Sequence, residues 1–459
     1  MIENSIIQKP TFTPATRVLI TIVAGYVMFG ISSVFSASLF THSYELLWKQ
    51  AEPLLLGIVI FGLFPFFNIA RMRSPSWIYS FAAITLLLQL LPPVFGQTVN
   101  GASRWVFGFQ ASDILSVFLI FYASFLCYGE NDGDTFRRDQ CETFFGGIKY
   151  IVMPIALILL AVGVLQKNFS TAVLQCAIFC LMLFLGKISL NKKLMGILLA
   201  GALLCGGLLL YKEQYRLNRL ENWLAHDLDI TLSPMLDEGK NMPEGRKASA
   251  FRFWDSDLRN YINEDGQQAF YSKISVISGG ITGRGPAGGR VNNNRRLAIS
   301  ESDYIFSVLC AEYGFVMIAF FLCFTAYVFH RGFFLRASDR DVVLGMPLDD
   351  NLEEDSYLHH LAESVILLLS AQSLFHIWVN LSLFPVTGIP LPLISNGGSS
   401  KVVTLAMLGI LLNITCDREH EPISNDVAIK KIIKWILILA GVYIFAAFSW
   451  RFISDFIVK

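Results

Sequence analysis

The chain has 459 residues, 54% of them hydrophobic and only 16% charged, with 36 basic side chains balancing 36 acidic ones. Soluble domains carry about 25% charged residues, so this composition, with a mean hydropathy of +0.53, marks an integral membrane protein. Zero net charge leaves no electrostatic footprint for nucleic acid. The cysteines lie mostly inside apolar runs (Cys176, Cys180, Cys205, Cys310, Cys323) and none falls between 212 and 302, so no disulfide framework is expected. Cys176 and Cys180 share a helix face at i, i+4, but without nearby histidines they suggest no metal site. The first apolar run is too long for a cleavable signal and follows about fifteen polar residues, so it reads as a retained first span.

A span takes about 20 apolar residues. In chain order the candidates are 16–36, 51–70, 77–95, 112–128, 148–166, 170–188, 194–211, 303–330, 364–384, 399–416 and 432–450. The fold class is therefore all-α and polytopic. An amino-terminal segment 1–15 precedes a transmembrane core 16–416, and a carboxyl-terminal segment 417–459 carries the extra span. Basic residues gather on alternate connections: Arg71 and Arg73, then Arg137 and Arg138, Lys187 with Lys192 and Lys193, Arg331 with Arg336 and Arg340, and Arg418 with Lys430 and Lys431. The positive-inside rule places those connections and the amino terminus in the cytoplasm. Loops 93–111, 212–302 and 385–398 then face outward. The large loop 212–302 mixes acids with bases and holds amphipathic pieces such as "YRLNRLENWLAHDL", expected as short helices on the membrane surface. The inner loop 331–363, with "DDNLEEDS", is acidic and expected to be solvated.

Three outward elements carry chemistry. The first, "NGASRWVFGFQASD" at 100–113, offers Arg104 as a phosphate partner and Trp105 as a headgroup-level anchor; an ordinary interfacial pair is the plainer reading. The second, "SGGITGRGPAGGRVNNNRRLAISESDYIFSVLCAEYGF" at 278–315, crowds Arg284, Arg290, Arg295 and Arg296 into a cationic vestibule that returns to the membrane at Asp303. Asp303 suits a base or a hydroxyl ligand, although Ser300–Asp303 also fits a capping box. Glu312 lies about 13 Å deeper if the helix is regular, where an acid is costly and functional by default. The third, "PVTGIPLPLISNGGSS" at 385–400, packs three prolines and three glycines into sixteen residues and cannot be helical. Irregular backbone at membrane depth must line protein or a wet cavity. Ser399 or Ser400 is expected to cap the following helix, whose positive end suits phosphate. A tight loop before a well-capped helix is the alternative.

"PVTGIPLPLISNGGSS" closely resembles the signature of the SEDS family (shape, elongation, division and sporulation), whose members polymerise peptidoglycan. "NGASRWV", "QYRLNR", "SGGITGRGP" and "SDYIFSVLCAEYGF" are similar to further family blocks in the expected order, over about residues 20 to 415. The resemblance implies a ten-helix glycosyltransferase using lipid II, with Asp303 as catalytic aspartate. The substrate contacts it implies run through Arg104, Trp105, Asp113, Thr171, Arg216, Arg284, Glu312 and Gln372. They continue through Pro385, Thr387, Gly388, Pro390, Pro392, Ser395, Gly397, Gly398, Ser399 and Ser400. It also implies a class B penicillin-binding protein and other division proteins as partners. No cofactor is certain; a divalent cation, Mg or Mn, is compatible, though no ligand spacing marks its site. Threonine in "PVTG" resembles the FtsW-like division branch more than the RodA-like elongation branch.

The chain departs from the family pattern at several places. "QASDILS" keeps a shorter acid, Asp113, but has Ser116 where the family has lysine. "KNFST" at 167–171 retains only Thr171 of the usual proline-aspartate-x-glycine-threonine, with Lys167 nearby. His376 stands where asparagine is frequent, Asn396 replaces tyrosine, and span 432–450 has no family counterpart. A lipid-precursor flippase and a catalytically weak division scaffold remain competing readings.

Overall fold

The structure is a computed structural model that describes residues 10–12, 14–38, 44–99, 102–106, 109–129, 137–188, 196, 267–285, 300–334, 352–384 and 387–418. Spans 194–211 and 432–450, most of the loop 212–302 including Arg216, and Pro385 lie outside the described residues. The helices are α1 (Pro14–Ser38), α2 (Tyr44–Leu63), α3 (Pro75–Phe95), α4 (Ala111–Tyr128), α5 (Arg137–Glu142) and α6 (Phe144–Leu165). They continue as α7 (Phe169–Leu185), α8 (Gln267–Ser278), α9 (Ile305–Phe334), α10 (Leu352–Asn380) and α11 (Gly398–Thr415). Six of these segments are long and apolar enough to cross a membrane, and α7, the later part of α2 with the turn after it (Gln50–Phe66) and the first part of α9 (Ile305–Val316) add shorter apolar helices.

Each helix edge has a local cause. Pro65 ends α2 in a 3-10 turn, and Asn413 of α11 donates to the carbonyls of Phe64 (2.7 Å) and Phe67 (2.6 Å), which also accept from the amides of Phe67 and Ile69. Helix α6 carries π-helical turns at Ile148–Val152 and Leu159–Leu165. The acidic inner loop is shorter than expected. Helix α10 begins at Leu352 rather than near 364, so Glu353, Glu354 and Asp355 are helical. Acids near a helix start complement its dipole, which favours winding of this polar stretch.

Helix α4 forms the centre: most of its side chains are buried, in one apolar cluster with residues of α7, α10 and α11. Helix α3, by contrast, exposes Leu87, Val94 and Phe95, the pattern of a lipid-facing span. Helix α11 packs in parallel along α2, with Gly398 against Pro53 and Leu405 against Gly57. It runs antiparallel to α1, where Thr16 donates to the Thr415 carbonyl at 2.9 Å. Strands β1 (Pro10–Thr11) and β5 (Asp417–Arg418) pair beside that contact.

The all-α expectation missed a small antiparallel sheet. Strands β2 (Gln97–Val99), β3 (Ala102–Val106) and β4 (Phe109–Gln110) lead into α4. Val99 pairs with Ala102, so Asn100-Gly101 occupies the two-residue connection, a strong sequence signal for a hairpin.

Helix α9 is broken at Gly314, whose backbone lies at φ 69 and ψ −163. The glycine-rich turn 279–285 inserts there. The amides of Arg284 and Gly285 donate to the carbonyls of Ala311 (3.0 Å) and Glu312 (2.9 Å), while those of Phe315 and Val316 donate to Gly280 (2.8 Å) and Ile281 (3.2 Å). Two carbonyls before the break and two amides after it thus find partners in one loop. Gly283, at φ 78, sits where a Cβ would lie 2.0 Å from the Glu312 carbonyl oxygen.

Candidate active site

The proline-rich loop and the turn before α9 meet. The Asn396 amide donates to the Glu301 carbonyl at 2.8 Å, and the Ser395 hydroxyl donates to the Ser302 carbonyl at 2.8 Å. Ser395 also accepts from the Leu391 amide at 2.8 Å, closing its own loop. Leu393 at φ 62 and Gly388 at φ 69 give the segment its tight path. Asp303 lies in the turn ahead of Ile305, partly exposed, and its Oδ1 accepts from the Ser302 hydroxyl at 3.1 Å.

Asn380, at the end of α10, secures this turn from below. Its amide nitrogen donates to the Asp303 carbonyl at 2.9 Å, and its oxygen accepts from the amide and hydroxyl of Ser307 at 3.1 and 2.9 Å. Asn380 escaped the reading of the sequence, although a lone amide in the apolar run "WVNLSLF" is a signal in itself.

The start of α11 corrects the expected cap. The N-cap residue is Gly397, and no side chain caps the helix. Ser399 lies inside the first turn and donates instead to Asp113 Oδ2 of α4 at 2.7 Å. The serine faces a carboxylate across the bundle because 399 falls on the α4 side of α11, about 100° round from Gly398, which packs on α2. Asp113 and Ser399 should therefore behave as a coupled pair. In a cycle of Asp113→Ala, Ser399→Ala and the double variant, unfolding in detergent is expected to show a coupling of about 1 kcal/mol or more; additive losses would mean that the two do not touch.

Around Asp113 lies a neutral polar network. Gln175 of α7 donates to the Ser112 carbonyl (2.6 Å) and the Ser116 hydroxyl (3.0 Å), so it fills the space beside the serine that stands in for lysine. Gln89 donates to the Ala111 carbonyl at 2.8 Å and accepts from Gln166 at 2.9 Å. Thr171 donates to Asn168 at 2.9 Å. These glutamines were not anticipated, since their partners lie on other helices.

The remaining expected residues divide. Trp105 is half-buried in β3, opposite Gln97 and Gln110; of Arg104 only the backbone, also in β3, is described. Arg284 is exposed, and its Nε donates to the Ser278 carbonyl of its own turn at 2.7 Å. Glu312 is buried and accepts from Ser36 of α1 at 2.5 Å, so it ties α9 to α1 just before the break. Gln372 is partly buried in α10, while Thr387, Pro390, Pro392 and Ser400 lie along or just after the loop. Buried His376 contacts the Ile389 carbonyl through Nδ1 at 2.8 Å; a carbonyl only accepts, so Nδ1 carries the proton. Among the described residues no three His, Cys, Asp or Glu side chains gather closely enough to hold a metal ion.

These features define a polytopic helical membrane protein with a polar end built from an aspartate turn, a proline-rich loop and an uncapped helix. A family model described as FtsW/RodA/SpoVE cell cycle protein matches residues 13–234 and 240–420, and the chain belongs to that family. Curated relatives include the "Probable peptidoglycan glycosyltransferase FtsW" of Geobacter sp. (strain M18), 25% identical over 404 residues, which span 87% of this chain and 94% of the relative. The protein of the same name from Borreliella burgdorferi is 26% identical over 407 residues, with the same coverage. Similar solved structures share the fold. One chain of a peptidoglycan synthase complex, studied for its coordination of polymerization and crosslinking, has a TM-score of 0.54 at 21% identity and covers 86% of this chain and 96% of that one. The rod shape determining protein RodA of Thermus thermophilus has a TM-score of 0.51 at 21% identity, covering 86% of this chain and 95% of that one.

Proposed function

We propose that this chain is a peptidoglycan glycosyltransferase that polymerises lipid II on the outer face of the bacterial cytoplasmic membrane during cell division. The observation that carries the reading is the clamp between the Asp303 turn and the proline-rich loop, Asn396 to Glu301 and Ser395 to Ser302. It brings a carboxylate and an uncapped helix terminus to one end of the bundle. Membership of the family and the names of the relatives supply the reaction class.

Asp303 accepts or orients the proton of the acceptor sugar hydroxyl, whose oxygen attacks the donor's anomeric carbon. The glycosidic bond forms as the bond to the polyprenyl pyrophosphate breaks, and that diphosphate leaves with the electron pair. Its charge is met by the positive end of α11, and the family resemblance gives Arg104 the same role. Asp113 fixes the first turn of α11 through Ser399.

Basic residues on alternate connections support a cytoplasmic amino terminus and an outward-facing site. Crosslinking of the product falls to a partner, by resemblance a class B penicillin-binding protein. The test is purified chain with lipid II in detergent: glycan polymer is expected. Transfer of lipid II across vesicles without polymer would make the chain a flippase instead.

A further inference from the structure

Lys401 lies in the first turn of α11 and is 2% exposed, the one lysine or arginine among the buried polar residues described. Its amide donates to the Gly397 carbonyl at 3.0 Å, but its ammonium makes no hydrogen bond or ion pair among the described residues. Such a placement is costly twice over. A buried charge loses several kcal/mol of hydration unless it is paired, and a cation near a helix N-terminus is repelled by the dipole. The terminus itself has no side-chain cap. The polar side chains bonded around Asp113, namely Ser112, Ser116, Gln175 and Ser399, are neutral and contribute no cation.

An anion at the axis of α11 would resolve both costs. Helical side chains lean toward the N-terminus, so the lysine stem runs toward the free amides of its own first turn. At about 100° per residue, Lys401 leaves α11 roughly 200° round from Ser399. It therefore stands on the flank shared with α2, where Gly398 packs on Pro53, and an anion seated on the helix end would lie between the two.

We propose that Lys401 and the uncapped N-terminus of α11 form the diphosphate-binding site of a polyprenyl-linked substrate. The identity of the lipid rests on the polymerase reading; the anion site does not. Lys401 is then a binding residue of this chain.

The experiment compares wild type, Lys401→Leu and Lys401→Arg in detergent, using thermal unfolding and binding of undecaprenyl pyrophosphate, with phosphatidylglycerol as a second probe. Without ligand, Lys401→Leu is expected to melt at a higher temperature than wild type, because an unpaired buried charge has been removed. It should bind the diphosphate lipid about 10-fold to 100-fold more weakly, the loss expected for one charge-assisted hydrogen bond. Lys401→Arg should keep most of the affinity. A lower melting temperature for Lys401→Leu would mean that the ammonium is paired within the protein and would overturn the proposal. Unchanged diphosphate affinity would overturn it as well. If wild type binds phosphatidylglycerol as tightly as the diphosphate lipid, the site takes a membrane phospholipid and the substrate assignment fails. Because binding is read without turnover, a chain that binds through Lys401 yet makes no polymer would sink the glycosyltransferase reading alone.

Discussion

Asp303→Asn should abolish most glycan synthesis while leaving the fold intact. The substitution keeps size and one carbonyl-type oxygen, so the contact from Ser302 survives, and the Asp303 backbone carbonyl still accepts from Asn380. Lost are the negative charge and the basicity that activates the acceptor hydroxyl. A positioned general base is worth about 10²–10⁴ in rate, so polymer from lipid II should fall by about that factor with little change in melting temperature. Glu301→Gln, two residues away but engaged through its main chain, should have a much smaller effect. Equal activity of wild type and Asp303→Asn would remove the residue from the chemistry.

Gly283→Ala should be the most damaging small substitution in the described chain. At φ 78 a side chain costs about 1–3 kcal/mol in backbone strain. Its Cβ would also collide with the Glu312 carbonyl oxygen at 2.0 Å and the Glu312 carbonyl carbon at 2.4 Å. Relieving the clash means withdrawing the turn that satisfies both ends of the break at Gly314, and with it the contact between α8 and α9. A loss of about 3 kcal/mol or more is expected, visible as low yield and a lowered melting temperature. Gly280→Ala provides the control: its φ of 60 is also left-handed, but nothing lies within 4 Å of the added carbon. It should cost only the strain. If the two variants melt alike, the inserted turn does not hold α9 together.

Hydropathy makes the spans legible because a membrane helix must bury its backbone in its own hydrogen bonds. That argument located α1, α3, α4, α7 and α11 to within a few residues. It started α10 too late, at 364, because acids that complement a helix start look like loop in the sequence. It could not see the break at Gly314 either: one glycine in an apolar run reads as a tolerated helix residue, and the loop that fills the gap lies about thirty residues away. At the site, "PVTGIPLPLISNGGSS" announces irregular backbone by composition alone, and its hydrogen bonds to the Asp303 turn show that it packs against protein. Ser399 is the instructive miss. A serine at a helix start reads as a cap, yet one further turn of the wheel aims it at Asp113 on another helix. Pairings across the bundle, such as Gln175 with Ser116 or Ser36 with Glu312, leave no local pattern to read.

The pairing of Glu301 with Asn396 offers the most direct measurement, since polymerisation at an external site needs these two stretches together and outward. Cysteines placed at both positions should be joined by a short, membrane-impermeant bifunctional thiol reagent added to intact cells, with the 301–396 product identified by mass spectrometry. Formation of that product from outside is the predicted result. Failure to join the two positions, or joining only after the membrane is opened, would contradict a shared external site.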